Sequence, residues 1–170
     1  MAYEVVVKDI KEMTVATVRA KTTLNKVAEK AKQLMAEVGE YLDAQGIKPT
    51  GLGFGVYYET GAVVVDMEVG YPVDTVVEGT DRVKSNTLPA VKAATTIYEG
   101  PHQAMPEAHR AVHGWMHDHD VPAAEAPARE VFITDLRELA DGEDCKAESQ
   151  WPVNMPPSRA ERRREARSSS

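Results

Sequence analysis

Three groupings in this 170-residue chain have residue types and spacings that chemistry uses. His109, His113 and His117 stand four apart, which on a helix puts three imidazoles on one face at a spacing that suits a metal. No His-Glu-x-x-His and no cysteine cluster accompanies them, so no metal is expected. Gly51-Leu52-Gly53-Phe54-Gly55 is glycine-rich but lacks a phosphate-loop lysine and a following helix; it reads as a strand where glycine lets a ligand or another backbone come close. Cys145, the single cysteine, has no defined histidine partner and is not expected to be a nucleophile.

The acids are more informative. In Arg129-Glu130-Val131-Phe132-Ile133-Thr134-Asp135, strand alternation puts Glu130, Phe132 and Thr134 on one face and Val131 and Ile133 on the other. With Val131 and Ile133 toward the helices, Glu130 and Phe132 face a cleft. A carboxylate on an interior face among aromatic rings is costly to ionise unless something compensates. A cationic ligand is one compensation, and tyrosine or tryptophan faces attract the same cation by roughly 0.5–2 kcal/mol per good contact. Pairing with Arg129 at a strand edge is the other. Glu68 and Glu148 recur in matching surroundings and are candidates for lining the cleft, as are Tyr71 and Trp151, each just before a proline. Tyr57, Tyr98 and Trp115 complete the candidate aromatic lining.

These residues are positioned by a duplication. Glu68-Val69-Gly70-Tyr71-Pro72-Val73 returns as Glu148-Ser149-Gln150-Trp151-Pro152-Val153, 80 positions later, with the acid, the aromatic, the proline and the valine in the same places. Val15 to Lys21 reads against Ala94 to Gly100, and Tyr41 to Pro49 against Trp115 to Pro122 with one deletion. The chain therefore divides into halves of about 1–75 and 82–153. In the first, β-branched runs around Val5, Val7, Val15 and Val18 read as strand. Leu24, Val27, Ala31, Leu34, Val38 and Leu42 then recur at helical spacing until Gly46 and Pro49. Gly51 to Glu59 and Ala62 to Val69 follow as strands, with a hairpin turn at Thr60-Gly61. The second half repeats the order with strand Leu88 to Tyr98, helix Glu107 to His119, and strands Arg129 to Asp135 and Lys146 to Val153. The expected fold is α+β: tandem β-α-β-β units related by a pseudo-twofold axis, with antiparallel sheets and helices on one face.

A formal charge of -7 argues against nucleic-acid binding by the folded part, which would need clustered cations. Residues 154–170 are the exception, with five arginines against two glutamates, and are expected to be a basic, disordered tail. No apolar run approaches the roughly 18–20 residues of a membrane span. With no signal peptide visible at Met1 to Lys11 and one cysteine, the expected location is the cytoplasm.

Residues 3–153 as a whole resemble the GyrI-like small-molecule-binding family, the bacterial transcription-activator effector-binding domain. The likeness rests on the doubled unit, on Ile97-Tyr98-Glu99-Gly100-Pro101-His102 entering the second helix, on Arg129 to Asp135, and on Glu148 to Val153 closing the domain. It implies an aromatic-lined cleft between the halves, with a buried glutamate facing bound cationic drugs or dyes. That glutamate maps onto Glu130; its first-half counterpart is Gly55, aligned through Val56-Tyr57 with Val131-Phe132. The family often has tyrosine where Phe132 stands, so a hydroxyl is missing here. The implied partner is a small hydrophobic or cationic ligand, with no cofactor. Because both halves use all residues before the tail, no helix-turn-helix is expected, and direct DNA binding is disfavoured. Some relatives hydrolyse cyclopropane-containing toxins, for which Glu130 would be the acid or base, and a gyrase-inhibitor relative leaves a protein-binding modulator as a third reading.

Overall fold

A computed structural model describes residues 3–60, 63–101, 105–140, 143–155, 163–164 and 166–167. The strands are β1 (Val6–Ile10), β2 (Met13–Thr23), β3 (Phe54–Thr60), β4 (Val64–Pro72), β5 (Lys84–Leu88), β6 (Val91–Gly100), β7 (Ala128–Phe132) and β8 (Cys145–Pro152). The helices are α1 (Val27–Ala44), after β2, and α2 (Met105–Asp118), after β6. The expected turn at Thr60-Gly61 and the segment's His102 lie partly or wholly outside the described residues. So does most of the expected tail; its residues 163–164 and 166–167 are helical.

All eight strands form one antiparallel sheet in the order β1-β6-β8-β7-β3-β4-β2-β5. Its register is symmetric about the central pair. Gly55 on β3 faces Glu130 on β7, flanked by Phe54↔Val131 and Val56↔Arg129. Outward on either side, Val69 of β4 faces Gly55, and Ser149 of β8 faces Glu130. The next strands place Val18 against Val69 and Thr96 against Ser149, so the equivalence of the first strands is one residue away from the match of Val15 with Ala94. Runs of β-branched residues contain no anchor that fixes such a match.

The leading strands are exchanged between the halves. β1 pairs with β6, and β5 pairs with β2, so neither half is the continuous segment that the repeat suggests. Ile10↔Val91 and Met13↔Leu88 keep one register, so segments 6–17 and 84–95 run antiparallel through a single crossing. In a flat sheet β1 and β2 would lie about 29 Å apart, six strand spacings, whereas the link from Ile10 to Met13 reaches at most about 11 Å. The sheet must therefore curl until its ends meet. Arg129, on a central strand, donates through Nη2 to the carbonyl of Pro89 at the crossing, 2.8 Å away, which places its face inside the curl. Val15, Phe54, Val56 and Leu88 pack on that inner face.

Both helices lie on the other face. Val27, Ala31, Leu34, Met35, Val38 and Leu42 of α1 and Met105 and Ala108 of α2 share one core with Val69, Tyr98, Phe132 and Ala147 of the sheet. α1 ends where the repeat reading stops it: Gly46 has φ of 68° and Ile47 N donates to Leu42 O at 2.9 Å, a Schellman-type end. α2 ends the same way with Asp120 at φ of 54° and Val121 N on Met116 O. No helix among the described residues is long and apolar enough to cross a membrane.

Gly70 shows how tightly the sheet is packed, because a Cβ there would collide with the Ala16 carbonyl and come within 2.8 Å of Thr17 Cα, both backbone atoms. Gly114, exposed on α2, has open space around its Cα. Gly70→Ala should lose about 1–3 kcal/mol in urea unfolding, while Gly114→Ala should gain up to about 1 kcal/mol. Equal responses would contradict the described packing of β4 on β2.

Candidate functional site

Glu130 is 1% exposed and sits at the centre of the sheet, between Gly55 and Ser149 and on the face that carries the helices. Phe132 is on the same face, in the core with both helices, so the expectation that Val131 and Ile133 face the helices is reversed. The helices and the cleft share one side of the sheet because the cleft lies between the starts of α1 and α2. Gly55 keeps the centre open on the first-half strand. A Cβ at that position would come within 3.3 Å of Phe132 Cζ and 3.4 Å of Val69 Cγ1.

The carboxyl of Glu130 is half satisfied. Tyr98 Oη donates to Oε1 at 3.0 Å, while Oε2 has no hydrogen-bond partner among the described residues. The hydroxyls of Tyr57 and Ser149 are also buried and unpartnered. Burial pushes the Glu130 carboxyl up to about 8, against the lowering effect of the Tyr98 hydrogen bond. The same burial, together with the charge of Glu130, raises the Tyr57 and Tyr98 hydroxyls and brings the Cys145 thiol to about 11. Cys145 is thus a buried thiol with little thiolate.

Above this centre lies a cavity of about 700 Å³. Val27 and Ala28 of α1, Met105, Pro106 and His109 of α2, and Tyr57, Glu130 and Trp151 of the sheet line it. The Trp151 ring is held edge-on by His109 and His113, with centroids 5.1 and 4.3 Å away. These two histidines therefore frame an aromatic wall. Among the described residues no group of three or more potential ligands could hold a metal.

Of the residues singled out from sequence, the fold brings Glu130, Tyr57 and Trp151 to the cavity, with Tyr98 and Gly55 directly beside the carboxyl. The others go elsewhere. Glu148 lies on the inner face, where Lys8 reaches its Oε2 at 2.7 Å and Gln150 donates to Oε1 at 2.9 Å. Glu68, also on the inner face, accepts from Thr17 and Tyr58. Both follow from register: Ser149 and Val69 face the central pair, so their neighbours must point away. Trp115 stacks on His119 at 4.3 Å, away from the cavity. Phe132 and Tyr71 line a separate, smaller cavity. Sequence reasoning missed Met105, Pro106, Ala28 and Arg129 as lining residues; His109 carried a signal, but as a metal ligand.

With this geometry in hand, comparison with known proteins is decisive at the family level. A family model described as the GyrI-like small molecule binding domain matches residues 3–153. The chain belongs to the GyrI-like family. No curated protein matches it in sequence. Among solved structures, the EcmrR C-terminal domain is similar at 23% identity and a TM-score of 0.78, covering 92% of this chain and 100% of that one. EcmrR in its DNA complex gives 22% and 0.79, with 92% of this chain spanning 59% of that chain. SAV2435 bound to tetraphenylphosphonium gives 15% and 0.59, covering 91% and 94%. A hydrolase from Listeria innocua gives 14% and 0.65, covering 90% and 93%. At these identities the likeness carries the GyrI-like fold, and the residues must carry the rest.

The raised Glu130 carboxyl has a consequence for stability. Its proton is held more tightly in the folded chain than at the ordinary value of 4.5. The stability it confers is complete below about pH 4.5 and is lost as pH rises through about 8. Relative to Glu130→Gln, the wild type should therefore lose up to about 1.4 kcal/mol per pH unit across that window, measured by urea unfolding at pH 5, 6.5 and 8. A constant difference between the two proteins would contradict the buried, protonated carboxyl.

Proposed function

We propose that this GyrI-like domain binds one small organic cation with hydrophobic rings, seated in the larger cavity with its charge toward Glu130. The observation that carries this reading is the unpartnered Oε2 of a carboxyl 1% exposed at the floor of an apolar-walled cavity. A volume of about 700 Å³ is within the roughly 300–1,000 Å³ of sites for drug-sized ligands. At neutral pH the site is closed electrostatically because the carboxyl holds its proton. A cation makes ionisation favourable, taking the place of that proton and gaining the ring faces of Trp151 and Tyr57. Neutral hydrophobic molecules gain only the walls. Because Glu130 is shut from solvent in this conformation, side chains at the floor must shift for the charges to meet. Sensing or sequestering such compounds is the role that fits a largely apolar cavity with an unpartnered carboxyl oxygen at its floor.

A second reading, hydrolysis of a strained small substrate, is favoured by one observation. Tyr98 Oη, 3.0 Å from Glu130, supplies a second polar group beside a carboxyl that is protonated near neutrality, as a general acid must be.

Tetraphenylphosphonium is a suitable probe, with neutral triphenylphosphine oxide as its comparison. At about 100 times Kd the cation should stabilise the chain by about 2.7 kcal/mol in a thermal melt, and Glu130→Gln should weaken its binding by at least about tenfold, a loss of about 1.4 kcal/mol. Equal binding of both probes, or of the cation by both proteins, would contradict the reading. Turnover of a cyclopropane-containing ester lost in Glu130→Gln and reduced in Tyr98→Phe would instead select the hydrolase.

A further inference from the structure

The central strand pair has a cavity at each end. The smaller, about 220 Å³, is lined by Gly51, Leu52, Gly53, Tyr71, Phe132 and Ile133, together with Leu136 and Arg137. The symmetric register makes Gly51, Leu52 and Gly53 the counterparts of Ala126, Pro127 and Ala128, Tyr71 the counterpart of Trp151, and Phe132 and Ile133 the counterparts of Tyr57 and Tyr58. All six counterparts line the larger cavity. The two cavities are therefore one design built twice, and their difference in size has an identifiable source. β3 and β4 are joined by residues 61–63, whereas β7 and β8 are joined by residues 133–144. This longer link contains a 3-10 turn, Leu136–Glu138, that packs against α1 and lays Arg137 into the smaller cavity.

Arg137 is held there as a ligand would be. Its guanidinium carbon lies 5.2 Å from the centroid of the Tyr71 ring, and its Nη2 is 3.3 Å from the Asp135 carboxylate. The guanidinium head fits against Gly39 of α1, where a Cβ would displace it. Tyr71, only 5% exposed, keeps a hydroxyl with no hydrogen-bond partner among the described residues.

We propose that the smaller cavity is a second cation site, occupied by the chain's own Arg137, and that it accepts a small planar cation of the guanidinium or amidinium class when Arg137 is withdrawn. The Tyr71 ring takes the cation's face, the Asp135 carboxylate accepts its N–H groups, and the free Tyr71 hydroxyl accepts one more. Tyr71, Asp135 and Arg137 line the smaller cavity and not the larger, so the second site is occupied independently of the first.

The test is chemical rescue. Arg137→Ala should melt lower than the wild type, and millimolar ethylguanidinium should raise its melting temperature by at least about 2–4 °C, with no rise in the wild type. The rise should vanish in Arg137→Ala/Tyr71→Leu and persist in Arg137→Ala/Glu130→Gln. A response equal in wild type and variant, no response, or a response that depends on Glu130 and not on Tyr71 would overturn the second site. Should Arg137→Ala fail to fold, Arg137→Met keeps the apolar stem of the side chain, and the same rescue criteria apply to it.

Discussion

A carboxylic acid buried at the symmetric centre of a β-sheet is the constraint around which this molecule is arranged. Ionising such a group without a partner is prohibitive, so it holds its proton or finds a cation. A twofold-symmetric sheet would place two acids side by side at the Gly55–Glu130 pair, and each would oppose the ionisation of the other. Glycine on one strand removes that conflict and leaves room for Phe132 at the same time. One acid, one donor from Tyr98 and one unpartnered oxygen meet at this centre, and the proposed preference for cations rests on that arrangement.

The curl of the sheet is what makes the centre interior. Two long segments, 6–23 and 84–100, each belong to both ends of the sheet, and their crossing draws those ends together over the inner face. The inner face is sealed by Val15, Phe54, Val56 and Leu88, with Arg129 tied to the crossing at Pro89. At the centre of these strands both faces are buried, Val56 and Arg129 on the inner side and Gly55 and Glu130 on the other, and the helices part at their starts and leave a cavity above Glu130. The second half differs from the first chiefly in its longer link after β7, which fills at one end the space left open at the other.

Much of this was legible in the residues. The stripe from Val27 to Leu42 describes α1 because helical periodicity is sustained over more than four turns. The recurrence of Glu, aromatic, Pro and Val marks β4 and β8 as equivalents because those positions pack alike in both halves. The equivalence of Gly55 and Glu130 was also legible, through the match of Val56-Tyr57 with Val131-Phe132, but not that the two face each other across the central strand pair. The exchange of leading strands was not. β5, Lys-Ser-Asn-Thr-Leu, is a polar edge strand with no alternating apolar signature, and only pairing partners far along the chain define it. The acids Glu68 and Glu148 were drawn toward the cleft by their recurrence, yet recurrence is equally produced by shared inner-face hydrogen bonding. The lining residues of α2 were missed because strand alternation cannot reveal which helix turn overhangs a sheet.

If a bound cation replaces the proton of Glu130, binding of tetraphenylphosphonium releases that proton, which calorimetry at pH 6.5 in buffers of different ionisation enthalpy counts. The wild type should release close to one proton, because burial raises the carboxyl to about 8 before binding, and Glu130→Gln should release none. Binding without proton release in the wild type would show that the cation does not meet this carboxyl, and would contradict the account.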